Sequence, residues 1–137
     1  MSTAYHRRYR PPFPQLQVSL RTESESVGPV FALLDSGADI TFVPKDMLEQ
    51  IADWQGDQAS IRTHFGDSQH MRLYLIDVQI NNWRLPGVYV AADEMGDEII
   101  LGRDILNKLP IFLDGPVQQT EILDDATVKR LRARRAP

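Results

Sequence analysis

The chain has 137 residues, of which 42% are hydrophobic and 25% are charged, and these values are typical of one globular domain with one core. The formal net charge of -4 gives no strong attraction to nucleic acid or to an anionic membrane, so we expect neither as a partner. The absence of cysteine excludes disulfides, thiolate nucleophiles and Cys-ligated zinc. No apolar run approaches the roughly 20 residues that span a bilayer. Residues 1–14 have no signal-peptide h-region, so the expected location is the cytoplasm.

The predicted elements are mostly short strands. Residues 1–14 are basic and end in a proline-rich stretch, which favours an extended arm. Apolar patterns then predict strands at residues 15–20, 30–34, 40–43, 59–63, 71–80, 85–91, 99–101, 111–113 and 117–123. Helical patterns follow at residues 44–53 and 103–108, and residues 124–137 form a charged tail that is interpreted as a solvated end. Many short strands and few helices predict a mostly β, barrel-like domain over residues 15–123.

The most informative segment places Asp35 directly after the apolar residues 30–34, which we expect to be a strand buried on both faces. A carboxylate in that position is costly to bury alone, so it is paired, hydrogen-bonded or functional. Ser36 and Gly37 favour a sharp, rigid turn that presents the carboxylate. Taken alone, the pattern also fits an ordinary turn residue after a core strand.

One carboxylate is insufficient for aspartic-protease chemistry, which needs two Asp side chains that share a proton. The one similar segment, residues 111–115, lacks the hydroxyl residue and is interpreted as an Asp114-Gly115 turn. The second carboxylate would then come from another copy of the chain. A two-fold dimer supplies it by placing Asp35 of both copies beside the axis.

Two motifs resemble those of the retropepsins, the retroviral-type aspartic proteases. The first runs from Leu33 to Asp39, and the second, from Ile100 to Asp104, is an apolar pair followed by Gly-Arg-Asp. The resemblance covers roughly residues 15–123. It implies a single-domain acid-protease β-barrel with a flap hairpin and one or two short helices, active as a homodimer. The long segment 44–58 is closer to the cellular and bacterial members.

The resemblance also implies a role for each matching residue. Asp35 would be the catalytic aspartate, and Ser36 would brace the pair across the dimer axis. Gly102 would pack beneath the loop, and Arg103 would hold Asp39, although a purely structural ion pair also fits. The hairpin from Ala59 to Leu75 would be the flap. The residues expected to bind substrate are Gly37, Ala38, Asp39, Thr63, His64, Phe65 and Gly66.

The main hypothesis is therefore a homodimeric aspartic endopeptidase that hydrolyses extended peptides. The alternative is a non-catalytic peptide-binding or dimerisation module on the same fold. A hydrolase with Ser36 as nucleophile is disfavoured because the chain has no Gly-x-Ser-x-Gly elbow. No cofactor is expected, and the three histidines lack a metal-ligand spacing. Apolar substrate pockets are expected to be lined by Ala38, Ile40, Ile61, Phe65, Val90 and Ile105.

Overall fold

The computed structural model describes residues 2–52, 58–62 and 68–135, which form ten strands and three helices. The strands are β1 (Ser2–Ala4), β2 (Gln15–Arg21), β3 (Ser26–Leu34), β4 (Phe42–Pro44), β5 (Gln58–Arg62), β6 (Ser68–Ile80), β7 (Trp83–Asp93), β8 (Ile99–Leu101), β9 (Ile111–Asp114) and β10 (Gln119–Ile122). The helices are α1 (Lys45–Ile51), α2 (Arg103–Leu106) and α3 (Asp125–Ala133). The predicted mostly β class is confirmed. In the described part of the chain, no helix has the length and apolar character needed to cross a membrane.

Six of the strands close into a barrel. Their order is β2-β3-β8-β4-β7-β6, and β6 also pairs with β2 through Leu20↔Val78 and its neighbours, which closes the sheet. Closure pairs the edges that an open sheet would leave exposed. β5 pairs with the first part of β6 and extends beyond the barrel as an antiparallel hairpin.

Period-two apolar patterns fill the barrel. In β2, Leu16, Val18 and Leu20 are 3%, 1% and 1% exposed, while the residues between them are half-buried. Burying each such side chain contributes about 1.5–3 kcal/mol. Helix α1 covers the barrel with Leu48 and Ile51, which are the positions that the helical pattern of residues 44–53 places on one face.

The pairing of β3 with β8 positions the segment that carries Asp35. The two strands run parallel, with Leu33 opposite Ile100 and Leu34 opposite Leu101. Their carboxyl ends therefore lie side by side, and the segments that follow begin next to each other. β4 returns antiparallel to β8, with Phe42 opposite Ile100, so residues 35–41 form a loop across the end of β8.

Two details of this region differ from the prediction. β3 is buried on both faces only over Ala32, Leu33 and Leu34, whereas Phe31 is 52% exposed because that part of the strand faces outward. β4 begins at Phe42 rather than at residue 40, because the backbone N–H of Thr41 is bonded to the carboxylate of Asp104 instead of to a strand.

The two chain ends contain elements that the sequence patterns did not indicate. Residues 2–4 form β1, which pairs with β10 in a second sheet of order β1-β10-β9. The tail forms α3, a third helix where one or two were expected, and it has no buried residue. Its N-cap is Asp124, whose carboxylate accepts the backbone N–H of Thr127 at 2.7 Å.

The arm between β1 and β2 folds back against the start of β8. A backbone bridge joins His6 to Phe13, and Tyr9 at the tip donates a hydrogen bond to Glu98. This bond raises the pKa of Tyr9 above its usual value, since ionising the hydroxyl would break it. The His6 Nε2 atom lies 3.4 Å from the same carboxylate. Glu98 therefore ties the arm to the strand that ends beside Asp35.

Candidate active site

Asp35 is fixed through both its backbone and its side chain. Its N–H donates to the carbonyl of Leu101 at 2.9 Å, which continues the β3–β8 pairing by one bond. Its Oδ1 atom accepts the N–H of Gly37 at 2.9 Å, and the side chain is half-buried. The second carboxylate oxygen takes no part in that bond. The turn thus holds one carboxylate in a defined orientation at the surface of the loop.

The rest of the turn is bonded to the start of α2. The N–H of Ala38 donates to the carbonyl of Asp35 at 3.1 Å, and the carbonyl of Ala38 accepts the N–H of Arg103 at 2.8 Å. The guanidinium of Arg103 donates to the carbonyl of Ser36 at 2.7 Å and forms an ion pair with Asp39. Arg103 therefore bonds to both ends of the turn that follows Asp35.

The Arg103–Asp39 pair is exposed to solvent. The side chain of Asp39 is 77% exposed and that of Arg103 is 43% exposed. Water and salt screen such a pair, and exposed pairs contribute roughly 0–1 kcal/mol to stability. Its main effect is to orient Asp39 and the turn, and most of the Asp39 carboxylate remains accessible to a ligand.

Gly102 lies directly beneath the loop. A Cβ atom built on it would lie 2.6 Å from the carbonyl carbon and oxygen of Ile40 and 2.9 Å from the carbonyl oxygen of Ala38. Real Cβ atoms do not approach backbone this closely, so the loop can rest on residue 102 only when that residue is glycine. The structure therefore brings together the motif residues at positions 35–39 and 102–103.

Two further residues belong to this cluster and had no predicted role. Thr41 is 1% exposed, and both its N–H and its hydroxyl are bonded to the carboxylate of Asp104. Asp104 is the last residue of the second motif, and the resemblance implies no role for it. A signal was present in the sequence, because Thr41 follows the first motif and a carboxylate next to Arg103 can accept bonds from nearby donors.

The predicted flap is described only in part. Strands β5 and β6 pair antiparallel, from Gln58↔Arg72 to Arg62↔Ser68, so the hairpin that would carry the flap is present. The predicted tip residues Thr63, His64, Phe65 and Gly66 lie outside the described residues.

Of the six expected pocket residues, Phe65 and the side chain of Ile61 lie outside the described part of the structure, and the other four divide into two groups. Ala38 and Ile40 are half-buried in the loop beside Asp35. Val90 and Ile105 are both 0% exposed and belong to the core, so the expectation that they line a substrate pocket is wrong for the single chain. Their apolar character serves barrel packing, which the sequence pattern could not distinguish from a pocket wall.

The second Asp-Gly segment forms a hairpin turn. Asp114 ends β9 opposite Gln119, and the carbonyl of Gly115 accepts the N–H of Gln118 at 3.1 Å. A Cβ atom on Gly115 would meet nothing within 4 Å, so Gly115, unlike Gly102, lies in open space. Among the residues that the structure describes, no group of three or more His, Asp and Glu side chains is arranged to hold a metal ion.

A model of the family described as "gag-polyprotein putative aspartyl protease" matches residues 24–108, more than half of the chain. No match was found among curated proteins.

Two examples of solved structures that are similar to this chain are proteases. One is the EIAV protease complexed with the inhibitor HBY-793, with a TM-score of 0.53 and 19% identity over 70% of this chain and 86% of that one. The other is a retropepsin-like aspartic protease from Rickettsia conorii, with a TM-score of 0.59 and 12% identity over 88% of this chain and 86% of that one. At these identities the two structures show that the fold is shared, and the predicted retropepsin-like barrel is thereby confirmed.

Proposed function

The chain belongs to the gag-polyprotein aspartyl protease family, and we propose that it is an aspartic endopeptidase that hydrolyses extended peptides as a homodimer. The observation that carries the proposal is the fixed carboxylate of Asp35, held by Gly37 on a loop that is bonded to Arg103. We assign the protease domain to residues 15–123, with β1 adding a strand to its second sheet.

In the proposed mechanism, one Asp35 from each chain would form the catalytic pair. Two carboxylates at close range cannot both be ionised, so one keeps a proton and the other acts as a base. The base removes a proton from a water molecule as the water oxygen attacks the scissile carbonyl carbon. The protonated partner hydrogen-bonds the carbonyl oxygen, and a proton then passes to the leaving amine.

The surface of β9 supports pairing with a second copy. Phe112 and Leu113 are 48% and 50% exposed although they are consecutive residues of one strand and point to opposite faces. Val117 in the adjoining turn is 58% exposed. Among the described residues, β9 pairs only with β10 and so presents one open edge. An apolar strand with an open edge is a surface that another chain can cover.

The peptide would lie between the loop and the β5–β6 hairpin. Gly37, Ala38 and Asp39 would contact its main chain, and residues 63–66 would close over it and exclude water. Ser36 is exposed on the loop, which leaves its hydroxyl available to brace the second copy. An extended substrate fits because a β cleft recognises main-chain donors and acceptors.

The substitution Asp35→Asn tests the proposal, with Asp114→Asn as the matched control. Asp35→Asn should lower cleavage of a peptide library about 1000-fold or more, since it removes the acid and base function. Asp114→Asn makes the same chemical change at the turn end of β9 and, at protein concentrations where both variants are dimeric, should leave the rate within about twofold. Cleavage by Asp35→Asn at the parent rate would contradict the proposal. If the parent and Asp35→Asn both bind peptide and neither shows inhibitor-sensitive cleavage, the chain is a binding module instead.

The dimer requires a separate experiment. Activity per chain should fall on dilution, because only the dimer holds two Asp35 side chains. Mixing the parent with a fourfold excess of Asp35→Asn should reduce activity to about one fifth by random pairing. Activity per chain that is independent of concentration and of the inactive partner would show that a single chain suffices.

A further inference from the structure

Asp104 fastens the far end of the loop that carries Asp35. Its Oδ2 atom accepts the N–H of Thr41 at 3.1 Å. Its Oδ1 atom accepts the hydroxyl of Thr41 at 2.8 Å and the N–H of Ile105 at 2.9 Å. One carboxylate thus accepts three hydrogen bonds, two of them from the residue at which the loop ends.

Thr41 is also hydrogen-bonded to Gly102 and to strand β7 of the barrel. Its hydroxyl oxygen accepts the buried N–H of Gly102 at 3.0 Å while its proton is donated to Asp104. Its carbonyl accepts the N–H of Ala91 at 2.9 Å, which connects the loop end to β7. Thr41 is 1% exposed, so none of these groups can exchange its partner for bulk water without opening the structure.

The loop is therefore attached to one short segment at both ends. At the near end the N–H of Asp35 is bonded to Leu101, and at the far end Thr41 is bonded to Gly102 and Asp104. If the bonds of Asp104 are lost, the loop keeps its bonds to Arg103 and Ala91, but its buried end is held less rigidly. The direction of the Asp35 carboxylate would then vary although the residue itself is unchanged.

We infer that Asp104 is a positioning residue for Asp35, acting through the hydroxyl of Thr41 and touching neither substrate nor the reacting atoms. The inference rests on the proposed function for its effect on cleavage. Positioning of reacting groups contributes heavily to rate, and a displacement of about 1 Å can cost about 100-fold. Arg103 fixes the exposed side of the same loop, whereas Asp104 fixes its buried end.

The chemistry of the bonds predicts a graded series of variants. Asp104→Ala removes both acceptor oxygens and so all three bonds. Asp104→Asn keeps one acceptor oxygen but places an NH₂ group opposite a donor, so at least one of the three donors is left unpaired. Thr41→Val keeps the shape and removes the hydroxyl, leaving the N–H of Gly102 without its acceptor. Thr41→Ser retains the hydroxyl and should therefore keep most of the parent's activity.

Kinetics of the full-length dimer test the inference. Asp104→Ala and Thr41→Val should each lower kcat about 100-fold, and Asp104→Asn about tenfold, with KM within about threefold of the parent. Thr41→Ser should stay within about threefold. The control is Val78→Ala, which removes a fully buried side chain from β6, away from the loop. At a temperature well below every Tm it should lose stability while kcat stays within about twofold.

Hydrogen exchange supplies a readout that does not need cleavage. In Asp104→Asn and Thr41→Val, the amides of Gly102 and Asp35 should lose protection, while those of β2 keep it. Unchanged protection at Asp35 would overturn the inference, whether or not the chain proves to be a protease. So would a kcat for Asp104→Ala within twofold of the parent, or an equal loss of kcat in Val78→Ala. A parent that cleaves nothing would refute the proposed function alone, and hydrogen exchange would still decide the role of Asp104.

Discussion

Asp35 and Asp114 occupy similar positions in sequence and very different ones in the structure. Each is the first acidic residue after a short apolar strand, and each is followed within two residues by glycine. Asp35 receives an N–H bond on its carboxylate, and its loop is bonded to the 101–104 segment. Asp114 lies in a hairpin turn whose glycine has open space around it.

The difference begins in the strands. Leu33 and Leu34 are 5% and 7% exposed because β3 lies inside the barrel between β2 and β8. Leu113, at the equivalent distance from Asp114, is 50% exposed because β9 is at the edge of a three-stranded sheet. In this protein, an apolar strand followed by Asp ends in a rigid loop that presents the carboxylate where the 101–104 segment packs beneath it.

The largest expected difference in stability comes from truncating the leucine before each aspartate. Leu34→Ala should lower the free energy of unfolding by about 2–5 kcal/mol, since it opens a cavity in the core. Leu113→Ala should change it by less than about 0.5 kcal/mol under conditions where the chain is monomeric. Urea unfolding at low protein concentration measures both. Comparable losses in the two variants would show that β9 is packed as tightly as β3.

The glycines of the two loops give the next comparison. Gly102→Ala should cost about 1–3 kcal/mol, because its Cβ would press on the backbone of Ile40 and Ala38. Gly115→Ala, in open space, should stay within about 0.5 kcal/mol of the parent. Thermal unfolding of the two variants side by side checks this. Equal Tm values would mean that the loop can move away from residue 102 without cost.

Removing the guanidinium of Arg103, which is bonded to the loop, should have a smaller effect on stability. Arg103→Met should cost about 0.2–1 kcal/mol at low salt, and the cost should shrink at high salt as the exposed ion pair is screened. The control is Lys108→Met, which removes a nearby positive charge that has no ion pair among the described residues. A salt-independent difference between the two variants would indicate that the bond to the carbonyl of Ser36 dominates over the charge pair.

The smallest expected effect on stability concerns a third aspartate that follows an apolar pair. Asp124 caps α3, and the bond from the Thr127 N–H lowers the pKa of its carboxyl below the ordinary value of 3.8. A lowered pKa means that the cap stabilises α3 fully above 3.8 and is lost as the pH falls through the lower value in the folded protein. Asp124→Asn should remove that acid-dependent loss of helix signal in circular dichroism. Identical pH profiles for parent and variant would assign the acid transition to other carboxylates.

Local patterns in the sequence were sufficient for most of the barrel. The bounds of β8 were predicted correctly, and those of β2 and α1 to within one or two residues, because alternating or helical apolar spacing is a local property. The contact between positions 35–39 and positions 102–103 was predicted from the two motifs and their order. The apolar spacing and the motifs can both be identified in the sequence without knowledge of the packing.

The missed features depend on pairing between distant residues. β1 has three residues, too few for a pattern, and its partner β10 lies more than a hundred residues away. Thr41 and Asp104 are 63 residues apart, and neither residue type alone distinguishes a buried bond from a solvated side chain. Val90 and Ile105 were misassigned for the same reason, because an apolar residue fits a core and a pocket equally well.

The strand formed by the first residues of the chain affects how copies can join. β1 covers one edge of β10, which leaves the second sheet with an exposed edge strand, β9, next to the apolar surface of Phe112 and Leu113. β1 is the other edge strand of this sheet, but it is only three residues long, Ser2–Ala4, and contains no large apolar side chain. Short edge strands without apolar surface discourage edge-to-edge pairing, whereas β10, if uncovered, would offer a longer edge. β1 therefore blunts its side of the sheet, and association through this sheet is favoured at the β9 side alone.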